Sequence, residues 1–238
     1  MKSLTIPMLV LLLGMSSCYD GNLWQGIEGQ GPIVERKINL DQIRGISVPG
    51  SAKVYLTQGD NQEVRVEGQE NIIDNLSTTV TGEVWRIENK RPVWRCETLK
   101  IYITLEQLRM IRVSGSGNVS TTNHFENLKD LDIKVSGSGD LDLDFEADDI
   151  YTRVSGSGNI TMRGKADHLD SGISGSGHIR ASELEVRTAD LLISGSGDME
   201  LHATDRLTAH VSGSGNVFYS GNPSIDTSIT GSGHVRNR

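Results

Sequence analysis

V-S-G-S-G-N-V, residues 113–119, is one copy of a motif that recurs along the C-terminal half of the chain. Its S-G-S-G centre begins at Ser114, Ser136, Ser155, Ser174, Ser194 and Ser212, and a seventh copy reads T-G-S-G from Thr230. Successive copies start 22, 19, 19, 20, 18 and 18 residues apart. A repeat of roughly 20 residues is typical of one supersecondary unit stacked on itself.

Each copy lies within the same pattern of apolar alternation. The residue before the motif is always Val or Ile. After one polar residue, the motif is followed by Val119, Leu141, Ile160, Ile179, Met199, Val217 and Val235. Period-two alternation rich in β-branched residues indicates half-buried strands. Each repeat therefore predicts a strand, a glycine corner and a second strand.

The repeats predict an all-β fold, a right-handed parallel β-helix with about 18–22 residues per coil over residues 113–238. A single coil cannot bury its apolar side chains, but coils stacked about 4.8 Å apart align them into continuous columns. The glycines suit a sharp bend between the two strands of each coil because they lack a Cβ atom.

The preceding part, residues 33–112, is rich in predicted strands but irregular. Two of its segments resemble the motif, V-P-G-S-A-K-V at Val48–Val54 and V-E-G-Q-E-N-I at Val66–Ile72. If both are degenerate coils, the β-helix begins well before residue 113. The alternative is a separate small β-sandwich that caps the helix, and the residues alone leave both interpretations open.

The N-terminus has the features of an export signal. Residues 1–17 carry Lys2 and a short apolar run, Leu4–Leu13, too short to span a membrane. The following M-S-S-C resembles a bacterial lipobox, which implies cleavage before Cys18 and lipidation of its thiol. Residues 18–32 would then form a glycine-rich tether. Because Cys18 would be lipidated, Cys96 has no partner for an intramolecular disulfide.

The overall charge limits the classes of partner. The chain has 31 acidic and 23 basic residues in 238, a net charge of −8, and no cluster of Lys and Arg. Nucleic acid is therefore not an expected partner. The expected contact with a membrane is through the lipid at Cys18. A glycan or an envelope or host protein remains the candidate ligand of the folded part.

Two sets of residues are candidates for binding. Asp132, Tyr151, Asp170 and Asp190 occupy equivalent outward positions before successive corners, which predicts an acidic strip for carbohydrate or a cationic partner. The alternative is a solvated face that keeps the solenoid soluble. Trp85, Trp94 and Tyr102 form the second set, a candidate sugar-stacking patch, for which packing in the core is the alternative.

Catalytic and metal sites are not expected. The residues after the corners are Asn118, Asp140, Asn159, His178, Asp198, Asn216 and His234. Stacking would spread them along a line instead of surrounding an ion, so no metal is predicted. No cofactor motif occurs, since neither a G-K-[S/T] phosphate loop nor a G-x-S-x-G elbow is present. A polysaccharide-active enzyme is only a minor alternative, because the loops between repeats are short.

The lipobox, the tether, the β-rich first half and the V-S-G-S-G repeats together resemble the head GIN domain family of auto-transporter adhesins. This resemblance implies a β-helical fold and an outer-membrane lipoprotein of the bacterial envelope, on either the periplasmic or the surface face. The expected function is that of a non-enzymatic, lipid-anchored adhesin or carbohydrate- or protein-binding module. The alternative is a periplasmic assembly protein that forms a homo-oligomer through its last coil near His234–Arg238.

Overall fold

A computed structural model describes residues 26–238 of the chain. The predicted signal peptide (1–17), the lipidation site at Cys18 and the first part of the predicted tether lie outside the described residues. Within the described part, no helix has the length and apolar character needed to cross a membrane.

Residues 26–109 contain short strands and one short helix. The strands are β1 (Ile27–Glu28), β2 (Ile33–Lys37), β3 (Gly45–Val48), β4 (Lys53–Gln58), β5 (Glu63–Gln69), β6 (Val80–Thr81), β7 (Val84–Arg86), β8 (Val93–Arg95) and β9 (Lys100–Leu105). The helix, α1 (Glu70–Asp74), follows β5 directly.

Residues 110–238 contain the strands of the repeats, most of them joined to the next strand through a glycine corner and several of them longer than those of the cap. They are β10 (Met110–Val113), β11 (Asn118–Thr121), β12 (Phe125–Val135), β13 (Asp140–Val154), β14 (Asn159–Ile173), β15 (His178–Gly195), β16 (Met199–Gly213), β17 (Asn216–Ser220), β18 (Ser224–Gly231) and β19 (His234–Asn237). The all-β prediction is confirmed.

The repeats stack as parallel rungs, which we number by their corners. Rungs 2 to 8 have the corners 114–117, 136–139, 155–158, 174–177, 194–197, 212–215 and 230–233. Strands of successive rungs pair in parallel register, so that equivalent apolar residues form one column, namely Leu131, Ile150, Leu169, Ala189, Leu207 and Ile225. The column is buried except at its last member. The predicted parallel β-helix is therefore confirmed.

The core of the β-helix also contains one polar pair. The hydroxyl oxygens of Thr152 and Ser171 lie 2.5 Å apart in neighbouring rungs, and neither residue has exposed surface. Their register partners Ile133 and Leu191 are apolar. The two hydroxyls satisfy each other, which removes most of the cost of burying them among aliphatic side chains.

Of the two degenerate copies of the motif, only one forms a corner. Val48–Val54 forms the corner of rung 1, because β3 pairs in parallel with β10 and β4 pairs in parallel with β11. Val66–Ile72 is not a corner, and its interpretation as a coil is wrong. There β5 runs antiparallel to β2 and β9 and then leads into α1.

A cap therefore closes the N-terminal end of the β-helix. The short strand β7 and strand β9 continue the two faces of rung 1 in parallel, and the antiparallel strands β5 and β2 extend beyond β9. Trp85 on β7 and Ile72 and Ile73 on α1 are buried in this cap.

The cap also includes part of the predicted tether. Strand β1 pairs with β8, and the Ile27 amide donates to the Pro92 carbonyl at 2.9 Å. The backbone around Ile27 is thus held on the folded part, and this part begins before residue 33. The C-terminal end differs from the cap, since every residue of β18 is exposed.

Candidate binding surface

The outward residues before the corners form one column, as their spacing predicts. Asp132, Tyr151, Asp170 and Asp190 are consecutive register partners on β12 to β15. We call these four residues the acidic column. Tyr151 is its most accessible member, 41% exposed.

Two of the three carboxylates of the acidic column are paired with basic side chains of the protein. Lys134 Nζ donates to Asp132 Oδ2 at 2.8 Å, and Arg153 Nη2 donates to both carboxylate oxygens of Asp170 at 3.0 Å. Because each of these two carboxylates has a cationic neighbour, their negative charges are largely offset, and the column is less acidic than its sequence suggests.

The two tryptophans of the predicted aromatic patch lie in different environments. Trp85 is fully buried, and its Nε1 donates to the Ser77 carbonyl at 2.9 Å. It is therefore a core residue, and its assignment to a surface patch is wrong. Trp94 is 59% exposed on β8, where it lies against Gly26.

Tyr102 has a neighbour on each side of its ring. Strand β9 lies between β4 and β5, which makes Tyr55 and Arg65 the register partners of Tyr102 on opposite sides. The Tyr55 ring stacks on Tyr102 with centroids 5.0 Å apart and planes 15° apart. The Arg65 guanidinium carbon lies 5.2 Å from the Tyr102 centroid. Both faces of the Tyr102 ring are thus covered, and a ligand cannot stack on it.

The hydroxyl of Tyr102 is also engaged. It donates to Glu67 Oε2 at 3.2 Å, while Lys100 Nζ donates to Glu67 Oε1 at 2.8 Å. Partial burial, followed by the nearby Glu67 charge, raises the pKa of Tyr102. The hydrogen bond from Lys100 lowers the pKa of Glu67. This group therefore orients the Tyr102 ring and, through it, the ring of Tyr55.

The second face of Tyr55 borders a groove. On that side its register partner is Ser120, whose side chain is far smaller than a tyrosine ring. The groove has a volume of about 450 Å³ and runs across the strands that follow the corners. Its polar lining comprises Lys53, Tyr55, Asn118, Ser120, Asp140, Asp142, Asn159, Thr161 and Arg180. We call it the Tyr55 groove.

Two carboxylates of the Tyr55 groove are held in place. Arg163 Nη2 donates to Asp142 Oδ1 at 2.6 Å, and Asn159 Nδ2 donates to Asp140 Oδ1 at 2.7 Å. With the amide of Asn118, these groups can accept and donate hydrogen bonds along the groove. The groove therefore combines one aromatic face with fixed polar groups.

The residues after the corners form hydrogen bonds to one another. Asn216 Nδ2 donates to Asp198 Oδ1 at 2.8 Å, and the same oxygen accepts from the Asn216 backbone amide at 2.9 Å. The polar residues after the corners thus serve to join neighbouring rungs.

Among residues 26–238, no three His, Cys, Asp or Glu side chains converge as metal ligands would.

Cys96, the other cysteine of the sequence, lies on the surface without a disulfide partner among residues 26–238. Partial burial of its thiol, followed by the charge of Glu97, raises its pKa. The side chain is therefore a neutral thiol at pH 7, the less nucleophilic form.

The repeated corners and the cap correspond to a known family. The family described as "Putative auto-transporter adhesin, head GIN domain" matches residues 43–223. The chain belongs to this family. The match begins in the cap and includes rungs 1 to 7, so the head GIN domain comprises both parts of the fold.

Solved structures share the whole fold of this head GIN domain. A Bacteroides fragilis protein described as a "putative adhesin" is 25% identical, with a TM-score of 0.83 over 90% of this chain and 100% of that chain. A Parabacteroides distasonis "putative lipid binding protein" is 26% identical with a TM-score of 0.75 over the same shares. A second P. distasonis protein, also described as a putative adhesin, is 28% identical, with a TM-score of 0.74 over the same shares. No curated protein matches the chain.

Sequence reasoning missed Tyr55, although the signal was present. The degenerate corner Val48–Val54 aligns with the repeats, and Tyr55 is the next residue along the chain. Extending that alignment by one position places Tyr55 in the column of Ser120, on the outer face of the head GIN domain.

Proposed function

We propose that this head GIN domain is a non-enzymatic binding module of the bacterial cell envelope, with an adhesin-like role. The family description and two of the similar structures support this role. The observation that carries the proposal is the parallel register of rungs 1 to 8, which aligns outward polar side chains into long flat faces. Such faces suit extended ligands, a glycan or a protein, because each rung repeats the contacts of the last.

The arrangement of the carboxylates favours binding over catalysis. Asp132 and Asp170 belong to a single column, and each is paired with a basic side chain. Hydrolysis of a glycoside generally needs two carboxyl groups that face each other across the bond to be cleaved. We therefore propose no catalytic residue for this chain.

For localisation, we propose a lipoprotein anchored in the outer membrane through Cys18. The support is the apolar run Leu4–Leu13 followed by M-S-S-C, which is typical of a lipidated precursor. We expect Cys18→Ser to release the protein from the membrane fraction and to abolish incorporation of an alkyne-labelled fatty acid. Cys96→Ser is the matched control and should retain both properties.

The adhesin role can be tested by antibody labelling and protease shaving of intact cells, with a periplasmic protein as the control. We expect the domain to be labelled and cleaved without lysis. Protection of the domain until the outer membrane is broken would contradict an adhesin and leave a periplasmic assembly role.

A second candidate function is self-association through rung 8. Its inward residues Ile225 and Ile229 are 47% and 43% exposed, and among residues 26–238 β18 pairs with β16 alone, on one side. A second copy is a suitable occupant, because its own rung 8 offers the same apolar residues and the same free strand edge. Light scattering after gel filtration should then detect a dimer that the double variant Ile225→Lys, Ile229→Lys converts to a monomer. A wild-type monomer at the highest soluble concentration would contradict this candidate.

A further inference from the structure

We propose that the Tyr55 groove binds a neutral pyranose unit of a glycan, which stacks on the face of Tyr55 turned away from Tyr102. This inference rests on the proposed binding function and assigns that function a ligand class and a position. It differs from the sequence-based expectation, which placed the stacking surface at Trp85, Trp94 and Tyr102.

The first step of the argument is that the aromatic platform is fixed. Tyr55, Tyr102 and Arg65 lie on three adjacent strands, and each ring is backed by the next group in the row. The hydrogen bond from Tyr102 to Glu67 anchors the far end of the row. A ligand that stacks on Tyr55 therefore needs little reordering of the protein, which lowers the entropic cost of binding.

The second step concerns the space above the ring. Ser120 is the register partner of Tyr55, and Asp142 is the register partner of Ser120 on the next rung. Two rung spacings place Asp142 about 10 Å along the axis from Tyr55. The small side chain between them leaves a slot with room for one sugar ring. The exposed edge and face of the slot open into the Tyr55 groove.

The third step is the match between the polar groups and a sugar. Ring hydroxyls can donate to the carboxylate of Asp142, whose orientation Arg163 fixes, and can accept from the amide of Asn118. Carbohydrate rings carry an apolar face of C–H bonds that packs on an aromatic ring, with hydroxyls around the edge. The Tyr55 groove offers these two kinds of contact side by side.

The fourth step is the choice of a neutral unit. Two carboxylates, Asp140 and Asp142, and two basic groups, Lys53 and Arg180, line the same groove. Their opposite charges offset each other, so the groove offers neither an anionic nor a cationic sugar a net electrostatic gain that would repay the cost of removing its charge from water. A neutral hexopyranose avoids this cost.

The test is saturation-transfer NMR with the intact chain purified in detergent micelles. The probes are methyl β-galactopyranoside, methyl β-glucopyranoside and methyl α-mannopyranoside, each at millimolar concentration. We expect saturation of the ring protons of at least one glycoside. In Tyr55→Ala, affinity for that glycoside should fall by about tenfold or more, because the stacking contact is removed.

Two further variants separate binding from folding. Ser120→Tyr should extend the row of stacked rings into the slot and block the glycoside while leaving Tyr55 in place. Phe218→Ala is the matched control, since it removes an aromatic ring from the same outward column as Tyr55, six rungs away and outside the groove. It should leave binding unchanged, and circular dichroism of each variant checks its folding.

Three outcomes would overturn the proposal. These are a lack of saturation for all three glycosides, unchanged binding in folded Ser120→Tyr, and equal loss of binding in Phe218→Ala. The result is independent of the adhesin test. Glycoside binding by a domain found in the periplasm would support this site and contradict the adhesin role. Surface labelling of a domain that binds no glycoside would support the adhesin role and contradict this site.

Discussion

The corner of rung 1 and the corners of rungs 2 to 8 perform the same turn with different residues. Rung 1 uses Pro49-Gly50-Ser51-Ala52, whereas the later rungs use S-G-S-G or T-G-S-G. A Cβ atom added to Gly137 in rung 3 would lie 2.2 Å from the carbonyl oxygen of Gly115 in rung 2. A Cβ atom added to Gly50 would meet nothing within 4 Å. At Gly137 the preceding rung therefore imposes glycine and the turn itself does not, whereas Gly213 and Gly231 in rungs 7 and 8 also have a positive φ that favours glycine.

The second glycine of each corner shows the same effect. In rung 3 a Cβ atom on Gly139 would lie 2.3 Å from the Gly117 carbonyl oxygen and 2.6 Å from Val113 Cγ1. The equivalent residue of rung 1 is Ala52, which already has a Cβ atom and remains buried. Rung 1 tolerates alanine because no earlier corner is stacked against it. The loss of the motif at rung 1 thus marks the point where the β-helix meets its cap.

The largest expected effect comes from adding one methyl group at a stacked corner. We expect Gly137→Ala to destabilise the domain by about 4 kcal/mol, because the neighbouring backbone can move only by separating the rungs. Gly50→Ala is the matched control and should change stability by less than about 0.5 kcal/mol. Urea unfolding followed by circular dichroism measures both. An equal decrease in the free energy of unfolding for the two variants would show that the turn requires glycine even without a preceding rung.

The repeated rungs could be predicted from the sequence and the cap could not, because only the rungs stack on copies of themselves. Strands β13 to β16 could be predicted from sequence because each rung repeats the constraints of its neighbour. The cap could not, since Val66–Ile72 has the local pattern of a corner and is placed by antiparallel pairing with β2 and β9. Such pairing depends on residues far along the chain and leaves no repeated signal.

The candidate site shows the same limit. Val84-Trp85-Arg86 and Val93-Trp94-Arg95 are identical tripeptides, yet one tryptophan is 0% exposed and the other 59%. Local sequence cannot separate them, because the burial of Trp85 comes from the pairing of its strand with β3 and the packing of the cap. The acidic column could be predicted because it lies within the repeats.

Truncation of an apolar side chain should have an intermediate effect that depends on the rung. Ile150 and Ile225 occupy the same inward column, but Ile150 is fully buried and Ile225 is 47% exposed. We expect Ile150→Ala to cost about 3 kcal/mol through the lost contacts and the cavity. Ile225→Ala should cost less than about 1 kcal/mol, because much of the side chain is already in water.

The same urea experiment compares the two isoleucine variants, at a protein concentration low enough to suppress association. A large loss for Ile225→Ala that grows with protein concentration would instead indicate that rung 8 is covered by a second copy.

The smallest expected effect is a pH dependence that belongs to the cap. Lys100 lowers the pKa of Glu67, and Lys37 lowers the pKa of Glu63. A carboxyl whose pKa is lowered by folding contributes stability that is present above its unfolded pKa and is lost as the pH falls through the folded value. Because these groups are in contact with solvent, the contribution is small and screened by salt. We expect the urea midpoint to decrease as the pH is lowered from 6 to 3, and to decrease less steeply in Lys100→Met.

Lys53→Met provides the matched control for that comparison. Lys53 is the register partner of Lys100 on β4, and within the described residues its ammonium group forms no ion pair. Its replacement should therefore leave the slope of the urea midpoint against pH unchanged. If Lys53→Met and Lys100→Met reduced the slope of the urea midpoint against pH equally, the acid sensitivity would reflect the net charge of the surface formed by β4 and β9. If only Lys100→Met does so, this part of the acid sensitivity comes from the specific ion pair between Lys100 and Glu67 in the cap.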